Sequence, residues 1–160
     1  MLTHVEFRSD LFPPVEGEEK LINPGLWGKR LADFLRKGLR EEGFETKEPI
    51  AEDWGWIVPV VNHSFRLWIG CGHYQEHPDG FLCFIEPHKP FVWKFLRKID
   101  TSERISGLRE AMDKILVSEP GIRGKRWWTY EEFNNPSREE AEASYRRTLE
   151  EQDREHPDQN

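Results

Sequence analysis

The sequence predicts an α+β domain in two layers, an antiparallel sheet of about five strands with two main helices packed on one face. Two stretches repeat apolar residues at helical spacing, and three successive stretches alternate with period two across short turn signals. The elements follow one another in the order β-α-β-β-β-β-α-β. Residues 1–134 read as a single compact domain, and 135–160 as a charged tail, either a frayed helix or disordered.

Thr3–Arg8 alternates as a short strand, with Val5 and Phe7 on one side. Phe12-Pro13-Pro14 breaks it, and Glu16-Gly17-Glu18-Glu19-Lys20 reads as a polar loop. Asn23 suits an N-cap and Pro24 the first helical position, which predicts a helix from Pro24 to Glu42. Trp27, Leu31, Phe34, Leu35 and Leu39 form its apolar stripe, and Gly43 ends it. Phe44–Lys47 is a short strand stopped by Pro49, followed by strands at Trp54–Val61, Phe65–Tyr74 and Phe81–Glu86. Asn62-His63-Ser64 and Pro78-Asp79-Gly80 supply the turns of an antiparallel meander. Pro87–Ile99 fits either a short helix or an irregular packing segment. Asp100-Thr101-Ser102-Glu103 resembles a capping box and opens a second helix with a stripe of Ile105, Leu108, Met112, Ile115 and Leu116. Pro120-Gly121 closes it, and Arg126–Tyr130 is a candidate last strand.

Composition narrows the class. Charged residues make up 33%, but seven Trp and ten Phe supply enough buried area for a core. Two cysteines do not make a disulfide framework. The start has neither a basic n-region nor an apolar h-region, and no apolar run reaches the ~18 residues of a membrane span, so a cytoplasmic protein without a membrane partner is expected. The net charge of −7 is uneven: residues 1–88 carry −6, 89–126 carry +5 and 127–160 carry −6. Such an acidic balance disfavours nucleic acid and favours a basic protein partner.

Four constellations bear on chemistry. Cys71, His73, His77 and Cys83 follow C-x-H-x3-H-x5-C, a set of donors able to hold zinc, although the spacing matches no standard knuckle. Cys71 between Gly70 and Gly72 is the one nucleophile in a suggestive context, yet strand glycines more often make room for bulky neighbours. Glu52-Asp53 beside Trp54 is a carboxylate pair of low specificity, and Arg123–Trp128 mixes cations with aromatics in a short run. Asn23–Lys29 lacks the glycine spacing and the Ser/Thr of a phosphate loop.

The aromatic surplus is the most informative feature. If Phe65, Leu67, Ile69, Cys71, Phe81, Cys83 and Ile85 lie under the helices, the other sheet face shows Trp68, Tyr74, Leu82 and Phe84, where polar residues are usual. Either Pro87–Leu96 covers that face or the face binds something. These considerations lead to an expected non-enzymatic protein-binding or inhibitor protein, such as a bacterial toxin-neutralising (immunity-type) protein. Trp54, Trp56, Trp68 and Tyr74 would be its anchors. A homodimer through the same face is a second form of this reading. The competing expectations are a metal- or cysteine-dependent enzyme centred on Cys71, His73 and His77, and a small-ligand binder.

Overall fold

The computed structural model describes residues 1–135 together with Ser137 and Ala143. It confirms an α+β architecture. A six-stranded antiparallel sheet runs in the order β2-β3-β4-β5-β1-β8, and β6 and β7 pair separately. The strands are β1 (Leu2–Ser9), β2 (Ile50–Glu52), β3 (Gly55–Val60), β4 (Leu67–His73), β5 (Gly80–Glu86), β6 (Phe91–Lys94), β7 (Arg97–Asp100) and β8 (Ile122–Thr129). The helices are α1 (Lys29–Glu41), α2 (Ser102–Ser118) and the single turn α3 (Tyr130–Phe133). Beyond Asn135, Ser137 and Ala143, the expected tail lies outside the described residues.

The pairing register decides which side chains share a face. Trp56 stands opposite Cys71, Val58 opposite Ile69 and Val60 opposite Leu67. Cys71 in turn pairs with Cys83, Ile69 with Ile85, and Val5 with Cys83. All of these point to the helix side. There they meet Leu31, Ala32, Leu35 and Leu39 of α1 and Ile105, Leu108, Met112 and Leu116 of α2 in one buried cluster. The expected α2 stripe and Leu31, Leu35 and Leu39 of the α1 stripe form the upper half of this core, while Trp27, which precedes α1, and Phe34 pack half-buried against it. At Gly38 the helices approach closely: an added Cβ would stand 2.9 Å from the Ile115 side chain.

The last strand runs Ile122–Thr129 instead of Arg126–Tyr130, with Tyr130 opening α3, and three further stretches depart from expectation. Helix α1 begins at Lys29, not Pro24, and its N-cap position is Gly28. The stretch from Asn23 is instead a turn, with Asn23 N–H donating to the Asp53 carbonyl. Phe44–Lys47 contributes one isolated bridge, Thr46 to Val60, and the edge strand falls at Ile50–Glu52. Pro87–Ile99 is not a helix, and its Phe91, Trp93 and Phe95 are exposed. It contains β6, a two-residue turn at Phe95-Leu96 and most of β7.

The late start of α1 has a physical cause in Glu18, which the sequence pattern places in a polar loop. Its side chain is 1% exposed. Oε1 accepts from the backbone N–H groups of Gly28 and Lys29 at 2.7 and 2.8 Å and from Trp56 Nε1 at 2.8 Å. Oε2 accepts from Val15 N–H at 2.9 Å. A carboxylate brought from ten residues upstream therefore takes the place of a local cap and sets its charge against the positive end of the helix dipole.

Candidate functional site

The sheet face away from α1 and α2 carries the aromatic cluster. Trp54 sits in the tight β2–β3 turn, and its ring lies 5.3 Å from that of Phe84 on β5 and 6.4 Å from that of Trp68 on β4. Trp68 and Phe84 meet edge to face at 5.6 Å. This geometry needs Gly70, because a Cβ there would overlap the Phe84 ring. Gly70 beside Cys71 thus makes room for a ring across the sheet, whereas a Cβ at Gly72 would meet Trp54 only in ordinary contact, 3.8 Å away. Glu52 and Asp53 are exposed beside Trp54, and half-buried Glu86 pairs with His88 at 2.9 Å.

Toward β1 and β8 the same face is overlaid by aromatic stacking. His4 stacks between Phe84 at 5.6 Å and Phe133 of α3 at 4.8 Å, and His88 stacks on Tyr130 at 3.8 Å. The Arg126 guanidinium lies 3.7 Å from the Trp128 ring centre. Glu6 accepts from the Tyr74 hydroxyl and, at 2.9 Å, from Trp128 Nε1. The basic-aromatic run at Arg123–Trp128 is thereby absorbed into strand β8. Arg123 is paired with Asp79 at 2.7 Å, and Lys125 and Trp127 Nε1 both donate to Asp113. Burial alone would push the Asp113 carboxyl up, but these two donors outweigh it and hold the carboxyl below its usual range.

The four expected anchors separate. Trp54 and Trp68 share the face away from the helices, where both are half-buried, and Tyr74 stands at its edge on Glu6. Trp56 lies on the opposite side, buried in the core and bonded to Glu18, so it presents no surface to a partner. Alternation along one strand would put Trp54 and Trp56 together. The hairpin turn at Asp53-Trp54 interrupts it, because β3 starts only at Gly55.

The expected zinc donors take separate places in the structure. Cys71 and Cys83 are directly paired across β4 and β5, both free and 0% exposed. His73 instead stacks on Trp27 at 3.4 Å and places Nε2 3.1 Å from the Pro78 carbonyl. His77 sits in the β4–β5 turn, where its backbone bonds the Tyr74 carbonyl. Among the described residues, no three His, Cys, Asp or Glu side chains come together to hold a metal ion. Burial pushes the Cys83 thiol up, and hydrogen bonding with Cys71 adds to the shift. A thiol held protonated in an apolar core is a poor nucleophile. Burial likewise pushes the His73 imidazole down, opposed by the Pro78 carbonyl, so its neutral form is favoured.

The hairpin at the other end of the sheet escaped the sequence reading as a surface. Trp93 is 68% exposed, Phe95 89% and Leu96 96%. Its signal was present in the alternation of Val92, Lys94, Arg97 and Ile99, but the bulky Phe-Leu pair between the strands is no turn signal. No helix among the described residues is long and apolar enough to cross a membrane. No family model matches this sequence, and neither a curated protein nor a solved structure gives a match.

Proposed function

We propose that this chain is a non-enzymatic protein-binding module, of the inhibitor or toxin-neutralising kind, whose docking surface centres on Trp54 and Trp68. The observation that supports this reading is the aromatic platform on the sheet face that α1 and α2 leave uncovered. Two half-buried indoles and a phenyl ring packed against Gly70 offer a rigid contact area with few rotamers to order, the property that makes Trp a frequent interface hot spot. Glu52 and Asp53 at the rim add negative charge, which suits a basic partner and speeds its encounter. Burial of both thiols argues against a cysteine-dependent enzyme in the same region.

The test is a partner isolated on the wild-type chain and then titrated against Trp54→Ala and Trp68→Ala. Each change should weaken binding by about thirtyfold, the size of a hot-spot loss of about 2 kcal/mol. Melting should confirm that both variants remain folded. Unchanged affinity in both folded variants would rule out this surface.

A further inference from the structure

We propose that the β6–β7 hairpin is an anchor for an anionic lipid surface: its apex enters the interface through Phe95 and Leu96 while Lys94, Arg97 and Lys98 meet the headgroup phosphates. The site is independent of the Trp54–Trp68 platform.

Charge is the first ground. Acids outnumber Lys and Arg 30 to 23 over the whole chain, yet residues 87–99 hold four cations and no carboxylate. Among the described residues, Lys94, Arg97 and Lys98 form no ion pair. Lys94 donates only to the Ser64 carbonyl, at 3.3 Å, and the Lys98 ammonium lies 4.0 Å from the centre of the Phe91 ring. This positive tip on a negative molecule is complementary to anionic headgroups, whose field acts within about 8 Å of the surface.

The backbone is the second. Phe95 and Leu96 have φ of 49° and 62°, the left-handed values of a two-residue hairpin turn in which Asn and Gly are the inexpensive occupants. Bulky side chains there are strained, and their near-complete exposure means that no packing within the chain offsets the strain. The bulk itself is then what the position requires.

Shape favours a bilayer over a protein groove. Val92 and Ile99 hold the base of the hairpin to the core, so Trp93 to Lys98 project by about 10 Å. That matches the ~5–10 Å to which apolar groups enter the headgroup–acyl boundary. Phe95 and Leu96 stand almost fully exposed at the apex, and a fluid interface can bury both. The cations stand one or two residues behind, and Trp93 sits beside Lys98 at the level where indoles prefer to lie.

Cosedimentation of the full chain with phosphatidylcholine vesicles, with and without phosphatidylserine, tests the proposal. Binding should require phosphatidylserine and fall with salt. The double change Phe95→Asp/Leu96→Asp should reduce it by at least about tenfold without lowering the melting temperature. Lys94→Gln/Arg97→Gln/Lys98→Gln should weaken it and flatten its salt dependence. Trp54→Ala and Trp68→Ala should leave it unchanged, so this proposal and the protein-binding reading fail separately. Absence of wild-type binding to both vesicle types would overturn it, as would full binding by the Phe95→Asp/Leu96→Asp chain. Self-association of the wild-type chain without vesicle binding, abolished by the same double change, would overturn it in favour of a second copy as the occupant.

Discussion

Replacing Glu18 with Ala strips four donors of their acceptor at once: the buried N–H of Gly28 and indole of Trp56, and the half-buried N–H groups of Val15 and Lys29. Losing a charged acceptor shared by two buried donors should lower unfolding stability by about 3 kcal/mol in urea titration. Trp56→Phe removes only one of those donors and should cost about 1 kcal/mol, with the two changes less than additive because they share one bond network. The importance of Glu18 was hidden in the sequence for a plain reason. Three of five residues from Glu16 to Lys20 are acidic, and a run of charge in a glycine-containing loop reads as solvated. Only the distant Trp56 and the bare helix start at Gly28 single out one carboxylate from its neighbours. The local pattern at Asn23-Pro24 was a better cap by residue type, but its backbone is committed to the Asp53 carbonyl. Trp54 illustrates the same limit. Its face depends on where a two-residue turn begins, which alternation cannot locate.

At the scale of elements, periodicity was a faithful guide wherever a stripe was long. The α2 stripe of Ile105, Leu108, Met112, Ile115 and Leu116 is buried throughout, as are Leu67, Ile69, Cys71, Phe81, Cys83 and Ile85 on the strands beneath. Short elements were legible only where the turn residues declared them. Pro78-Asp79-Gly80 marked the β4–β5 connection, whereas Phe95-Leu96 concealed the β6–β7 one. That concealment gives a direct test of the hairpin's cost. Phe95→Asn/Leu96→Gly restores residues that accept positive φ and should raise unfolding stability by about 1 kcal/mol, measured by urea titration. The same change removes the exposed phenyl and isobutyl groups, so the more stable chain should be the one that no longer binds anionic vesicles. A loss of stability instead would show that the two side chains contribute to the fold despite their exposure.

For the molecule as a whole, the two-layer class and the helix side of the sheet followed from the sequence, but the strand order did not. Alternation says which residues face together and is silent on which strands are neighbours, so the placement of β1 between β5 and β8 emerges only from the pairing. The central pairing also buries both thiols, which turns them into reporters of opening. Modification of Cys71 and Cys83 in the native chain should proceed only through unfolding, slowing as stability rises, and both should react together. Rapid reaction of Cys71 alone would show a local opening at β4 and reopen the case for a reactive thiol. The position of β1 carries one consequence for synthesis. The strand precedes both of its partners in the chain, so during synthesis residues 80–84 become available to it before Ile122–Thr129 does. Until then the nascent chain presents one unpaired edge through Val5 and Phe7, a natural client for a chaperone that recognises extended apolar segments.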